Sequence, residues 1–560
     1  MPTPSAFSLE AYARNSRSYY ELAVDANGLP YFNLFLADPS LLAHDWPDYG
    51  DVMARQYQAA IMYRAMTGEA LDIEPVWRRN LLALLSPDDG LLYRPATSYS
   101  THVADLGDQS LTLYALATAQ LAEPCAESER VVAAMVRGLR ARHDEIVRAP
   151  MGFLLKPLLA AERAVPGCGA LELATDLAQA LQASPGVFPP DNHYPRLTHM
   201  HGTLRTLVGM ADYARWTGDT ALMERIHTLY GVFRAMGTSF GFLPEAVARP
   251  GDIVTCETCA LMDYAGLGVA LANAGYGDCW ADMERLARNQ LVESQAHDLA
   301  WLPVDDTRAD TEQFSWRNLR ERLIGAWAGW SSPTHFLGAE ETLNHHWGGP
   351  ELRDKTRLLQ NCCGGSGLHA LFILWKNALR VSAEGVDVNL HVDKRTPEIE
   401  ILSDQPYRGH LQITLRRPAA LRVRLPEWLT DDSAIRLTRV GGVLPWRRVG
   451  LYLDAGEQPA DSPVTLDYPL PIRTEEVTIG NPGYHQYSYR VTWKGDTVLE
   501  MAPASEMPTQ GYSDFDERMV AIYYGKEGPG RLYQREDYRS EAQPQHLPLH
   551  EDRASSLDLW

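Results

Sequence analysis

The sequence predicts a multidomain protein that is α first and β after: a toroid of helical hairpins followed by an antiparallel β-sandwich. Three observations predict it. Up to about residue 385, apolar side chains recur at helical spacing. From about Val386 they alternate in short runs instead, and Pro, Gly and Asp turns divide those runs. At 560 residues the chain is long enough for two or more domains.

The elements follow in order. In DVMARQYQAAIMYRAMTG, Met53, Tyr57 and Ile61 fall on one face of a helix that Gly68 closes. LGDQSLTLYALATAQLA, ALELATDLAQALQA, HGTLRTLVGMADYARWTGD, TALMERIHTLYGVFRAM, CALMDYAGLGVALANAG and GLHALFILWKNAL repeat the pattern. Many are rich in Ala and Leu on more than one face, as helices lining a barrel are. VDVNLHV, EIEILS, HLQITLRRP, LRVRLPEW, AIRLTRV, GLYLDA, PVTLDYPLP and YSYRVTW read as strands of a sandwich. The polar tail after about Tyr533 reads as a surface wrap or a partly disordered end. The expected domains are 1–385 for the helices, with a strand contribution near the N-terminus, 386–480 for the sandwich, and 481–560 for a further β segment and the tail.

Composition narrows the function. Lys and Arg number 51 against 72 Asp and Glu, a formal net charge of −21. Such a chain is a poor partner for phosphate backbones, so nucleic acid is not expected; neutral sugars are compatible with it. No apolar run approaches the length of a membrane span, and the first residues lack a basic segment ahead of an apolar core. Seven cysteines, sparse and odd in number, argue against a disulfide framework and for a reducing compartment. A cytoplasmic protein with no membrane partner is the expectation.

The cysteines are also the most informative chemistry. Cys125, Cys168 and Cys279 read as small buried apolar residues on helical faces. Cys256 and Cys259 flank Glu257 in TCETCA, and Cys362 and Cys363 are adjacent in QNCCGGSG. Adjacent cysteines seldom bridge each other, which leaves metal ligation or a thiolate nucleophile beside a neighbour. The Gly-Gly that follows suits a sharp turn or a close ligand. Glu257, Cys259, Cys362 and Cys363 would satisfy Zn²⁺, and Cys256 with Cys259 offers a rival pair. On spacing alone, structural cysteines beside an unrelated glutamate are favoured, because the pattern is not a repeated CxxC.

ETCA, then LIGAWAGWSSPTHFLG, then NCCGGSGLHALFILWKNAL resemble the β-L-arabinofuranosidase (DUF1680) group, glycoside hydrolase family 127 and its relatives. HMHGTLRTLVGMADYARWTGD, WPDYGDVMARQ and YRVTWKGDTVLEM resemble members too, so the likeness runs through most of the chain in family order. The resemblance implies an (α/α)6 barrel followed by β-sandwich domains. It implies zinc on Glu257, Cys259, Cys362 and Cys363, Cys362 as nucleophile, and an upstream glutamate, nearest Glu245, as acid/base. The pKa of a free thiol lies near 8.5, and coordination deprotonates it. A thiolate and a carboxylic acid together give double displacement with retention.

Departures from the family pattern cluster after the cysteine pair. Relatives often read CC-x-G-N-G-x-R; here Ser366 stands at the Asn and His369 at the Arg. Relatives often read Pro-Asn-Asp-Phe; here the segment is Pro333-Thr334-His335-Phe336. These changes bear on which sugar is bound. Candidate substrate residues are His199, His201, Asp48, Arg55, Trp330 and His335, with guanidinium, carboxylate and indole suited to hydroxyls and C–H faces. Trp327 reads more readily as core.

Three functions compete. The first is a retaining glycosidase releasing a terminal L-arabinofuranose-like sugar from an oligosaccharide or glycoconjugate, with a pocket that a partner subunit in a homodimer would help close. The second is a non-catalytic glycan-binding protein with structural zinc. The third is a polysaccharide lyase, which leaves the cysteines unexplained. The first is expected.

Overall fold

The computed structural model describes residues 4–36, 39–45, 48–195, 198–245, 256–329, 331–336, 356–480, 486–502, 530–553 and 557. Among them, six helices form a closed inner ring. Met53–Thr67, Leu106–Ala122, Leu155–Ala164, Met200–Thr217, Thr258–Asn273 and Cys362–Lys376 each pack on the next, and the last packs back on the first. Thr258–Asn273 shows why these are inner helices. Its Ala, Gly and Leu side chains are buried on every face from Thr258 to Ala272, the mark of a helix without a solvent side.

An outer layer covers the ring. Glu74–Ala83, Ala126–Ala141, Ala170–Gln182, Thr220–Met236 and Cys279–Leu286 each follow an inner helix and pack on it. Ala126–Ala141 is amphipathic, with Val132, Met135, Val136 and Leu139 forming its buried stripe. The sixth outer position is filled from the N-terminus, where Leu9–Asn15 packs on both Cys362–Lys376 and Met53–Thr67. The TGD turn joins one inner and one outer helix. Gly218 closes the first in a left-handed conformation (φ +71°), and the Asp219 carboxylate accepts the Leu222 N–H to open the next.

The β region holds two stacked sheets and a third apart from them. One sheet runs in the order Arg447–Val449, Tyr452–Gln458, Ala419–Arg424, Gly385–Val388, Leu379–Ser382. The other runs Gly442–Val443, Arg436–Arg439, Val464–Tyr468, Gly409–Leu415, Ile399–Ser403, Lys394–Arg395. Gly409–Leu415 alternates buried and half-buried residues along its whole length, the period-2 pattern of a sheet with one face in a core. Pairing is antiparallel except between Ala419–Arg424 and Gly385–Val388, which is parallel. The inner faces form their own core around Ile401, Leu411, Val423 and Leu466.

The third sheet, Ile472–Gly480, Gln486–Lys494 and Thr497–Ala502, shares the helical core instead. Val491, Trp493 and Val498 pack in it, and Asn289 Oδ1 accepts the Val498 N–H at 2.8 Å. The tail returns to the barrel as well. Tyr533 Oη donates to Gln290 at 2.9 Å, and Asp552 pairs with Lys376 and Lys394 at 3.0 and 2.8 Å. A small sheet of Asn33–Leu36, Leu41–Ala43, Phe314–Ser315 and Thr356–Gln360 delivers the chain to the last inner helix. No described helix is long and apolar enough to cross a membrane.

Candidate thiolate metal centre

Two helix starts build the site. Glu257 caps Thr258–Asn273, with Cys259 in its first turn, and Cys362 and Cys363 are the first residues of Cys362–Lys376. The Thr356–Gln360 strand fixes where that second helix begins. Asn361 Nδ2 donates to the Tyr31 carbonyl and its N–H to the Phe32 carbonyl, both at 2.6 Å. Helix N-termini present unpaired N–H groups and positive potential, which favours thiolate over thiol.

The four ligand atoms converge. One atom each from Glu257, Cys259, Cys362 and Cys363 all lie within 4.8 Å of one another, and all four residues are buried. Cys259 Sγ is 3.6 Å from Cys362 Sγ and 3.4 Å from Cys363 Sγ. A tetrahedral ion with sulfur bonds of about 2.3 Å spaces its sulfurs about 3.8 Å apart; a disulfide needs about 2.05 Å. The chemistry of the donors and their spacing therefore fit a zinc ion. Cys256 is not among them. It sits outside the helix, its backbone paired with Ser331, and burial pushes its thiol up to about 12.

Neighbouring groups tune the sulfurs. Hydrogen bonds from Cys259 and then Cys363, helped by the Arg55 guanidinium, hold the Cys362 thiol below its ordinary value against the cost of burial. Arg55 is held by Asp51 at 2.5 Å and donates to Ser366 Oγ at 3.3 Å; Ser366 Oγ in turn lies 3.2 Å from Cys259 Sγ. Ser366 is thus in contact with the sulfur cluster.

The Gly-Gly after the cysteines makes no turn. Both glycines lie in the first turns of the helix, where close approach is their use. A Cβ on Gly364 would run into the Tyr19 hydroxyl, one on Gly365 would stand 2.8 Å from the Arg55 backbone, and one on the nearby Gly367 would run into the Trp327 ring. Trp327 is fully buried core.

The carboxylate side of the site is equally compact. His199 caps Met200–Thr217, and its Nε2 lies 2.9 Å from Glu257 Oε2. Burial opposes its charge, but the bond to Glu257 and the nearby Glu245 raise it to about 9. Glu245 is buried, and one of its oxygens lies within 4.8 Å of both a Glu257 oxygen and a His199 ring nitrogen. Its carbonyl accepts the Met200 N–H at 2.8 Å, which ties the loop to the inner helix.

Of the remaining candidates, His201 stands beside this centre, while Asp48 and His335 have other neighbours. His201 lies inside the helix, buried, its Nδ1 2.5 Å from Asp263 Oδ2; Asp263 follows Cys259 by one turn. That i, i+4 relation was visible in the sequence and is the signal that could have found Asp263. Asp48 opens a π-helical turn, Asp48–Val52, just ahead of the first inner helix. It is buried against His44 Nδ1 at 3.0 Å, and burial raises it to about 6. His44 itself, missed in the sequence, is stacked between Tyr31 and Tyr99. His335 is buried on a segment joined to Cys256 through Ser331 and to Arg531; its ring lies 3.0 Å from Thr334 Oγ1, and burial lowers it to about 4. Trp330 lies outside the described residues.

No family model matches the chain, and no curated relative matches it in sequence. Solved structures do match in shape. A protein described as "Glycoside hydrolase" shares 14% identity at a TM-score of 0.57, over 87% of each chain. A GH127 β-L-arabinofuranosidase from Geobacillus stearothermophilus T6 shares 14% at 0.52, over 87% of this chain and 80% of that one. The GH127 β-arabinofuranosidase BT3674 shares 13% at 0.53, over 87% and 79%. With its closed ring of paired helices followed by β-sheets, the chain has the fold of the glycoside hydrolase family 127 β-L-arabinofuranosidases.

Proposed function

We propose that the protein is a retaining glycoside hydrolase. On this reading it releases a terminal L-arabinofuranose-like sugar from an oligosaccharide or glycoconjugate, with Cys362 as nucleophile. One observation carries the reading: Glu257, Cys259, Cys362 and Cys363, from two helices far apart in the chain, place their ligand atoms within 4.8 Å of one another.

Glu257, Cys259, Cys362 and Cys363 would hold Zn²⁺, which when bound keeps the sulfurs deprotonated near neutral pH. Cys362 Sγ attacks the anomeric carbon as the bond to the leaving oxygen breaks, giving a thioglycosyl enzyme. Glu245 gives its proton to the leaving oxygen. It then takes a proton from water as that water attacks the same carbon, and the thiolate leaves with net retention. Arg55, anchored by Asp51, sets positive charge beside the nucleophile. His199 orients the outer oxygen of Glu257. The starts of Met200–Thr217, Thr258–Asn273 and Cys362–Lys376 meet at this centre, where a terminal sugar would bind.

The test is metal and thiol content of protein purified without chelator, beside Cys362→Ser, with a screen of aryl furanosides and pyranosides. About one zinc at this centre, turnover of one aryl glycoside with retention, and loss of that turnover in Cys362→Ser are expected. Zinc with binding of sugars but no turnover on any glycoside would turn the reading to a glycan-binding protein.

A further inference from the structure

Cys279, a lone buried cysteine by sequence, has company in the fold. His227, on the outer helix Thr220–Met236, meets Asp278 and Cys279 at the start of the outer helix Cys279–Leu286. One ligand atom from each lies within 4.8 Å of the other two. Cys279 is fully buried, His227 is half-buried and Asp278 is exposed, so the cluster opens to solvent on its carboxylate side. Among the described residues, neither the His227 nor the Asp278 side chain has a hydrogen bond or ion pair elsewhere, and the Cys279 thiol meets only a backbone N–H. The Tyr276 ring stacks on His227 with centroids 4.0 Å apart and fixes the imidazole.

The neighbouring carboxylate does not compete for this place. Asp282 is taken up by Tyr230 Oη at 2.9 Å, Arg234 at 2.9 Å and Arg285 at 3.0 Å. The cluster is also remote from the thiolate centre. Cys259 opens the helix Thr258–Asn273, and Cys279 lies beyond that helix's other end, about 20 Å away at 1.5 Å of rise per residue.

We propose that His227, Asp278 and Cys279 form a second zinc site, on the outer wall of the barrel. Thiolate, imidazole and carboxylate together suit Zn²⁺ among common ions. Three protein ligands leave a fourth position for water on the exposed side. Binding releases the Cys279 proton to solvent and adds a second tie between two outer helices that Asp282 already joins through Tyr230 and Arg234.

The experiment measures zinc per chain after dialysis of the full-length protein against micromolar zinc and removal of the free ion. It compares the wild type with His227→Ala, Cys279→Ser and the milder Asp278→Asn, whose exposed position spares the fold. Each of the first two is expected to carry one zinc fewer than the wild type. Asp278→Asn is expected to lose that same zinc at a chelator concentration about tenfold lower, as a site with one ligand weakened does. Cys259→Ser separates the two centres, because it should leave the His227-dependent zinc in place. Equal zinc in the wild type, Cys279→Ser and Asp278→Asn would overturn the site whatever the thiolate centre holds.

Discussion

Cys259 and Cys362 stand 103 positions apart in the chain, yet their sulfurs lie 3.6 Å from each other. With Cys363 Sγ 3.4 Å from Cys259 Sγ, three thiols share one buried space. Only a bound cation or a covalent bond uses such crowding well, since three thiolates repel and three thiols bond weakly. Chelator treatment followed by a mild dithiol oxidant should therefore close one disulfide in this cluster, two thiols giving up two electrons and two protons to the oxidant. Titratable thiols are expected to fall by two and to return with dithiothreitol, while protein kept in zinc resists. Equal oxidation with and without chelator would mean that no metal guards these sulfurs.

Much of this centre was legible because its chemistry sits in rare residue types. The ETC and CC segments offer the donors by type, and the resemblance selects four of them; only the structure removes the rival Cys256, which stands outside the helix that Cys259 opens. The ring of helices was legible for a similar reason, since Ala-rich segments buried on all faces differ from amphipathic ones. Long-range relations were not. Nothing local in Gly364–Gly365 tells a turn from a helix pressed on Arg55 and Tyr19. Nothing in Val491 or Trp493 tells that the third sheet joins the helical core while the sandwich keeps its own. His44 stacked between Tyr31 and Tyr99 likewise exists only once the small sheet has formed.

Glu245 gives a prediction that separates chemistry from packing. As acid/base it matters most where the leaving group needs a proton. Glu245→Ala should lower kcat/KM by about 10²–10⁴ on an alkyl or sugar leaving group. It should cost far less on a nitrophenyl glycoside, and azide should restore turnover as a glycosyl azide with retained configuration. Equal losses on both substrates without azide rescue would place the proton transfer elsewhere.

Gly365→Ala tests the close approach beneath the cysteine pair. The added Cβ would stand 2.8 Å from the Arg55 backbone carbon and oxygen, and neither is the free end of a side chain that can swing away. The two inner helices must separate, which costs about 1–3 kcal/mol. Arg55 and Ser366 move with them, so the variant should melt earlier and also lose most of its activity. A variant as stable and as active as the wild type would show that this contact is looser than it stands here.

One of the ties that hold the tail is a charged histidine, and that tie should depend on pH. His546 Nδ1 lies 2.9 Å from Asp393 Oδ2 and its Nε2 lies 3.0 Å from Asp404 Oδ1. A ring with both nitrogens on carboxylates is an imidazolium, and those two bonds raise its pKa to about 9 against the cost of burial. The unfolded chain returns it to about 6.5. The folded value being the higher one, the stabilisation is fully present below about pH 6.5 and is lost as the pH rises through about 9. The loss is at most about 3.4 kcal/mol, less for a group that water partly reaches. A neutral ring keeps one N–H and can serve only one of the two carboxylates, and Asp404, itself held below its ordinary value, then leans more on Arg408. Thermal melts of the wild type should therefore fall between about pH 6.5 and pH 9.5 by more than those of His546→Gln, whose neutral amide cannot make the switch. Parallel curves for the two proteins would show that the tail is held by Asp552 with Lys376 and Lys394, and not by the imidazolium.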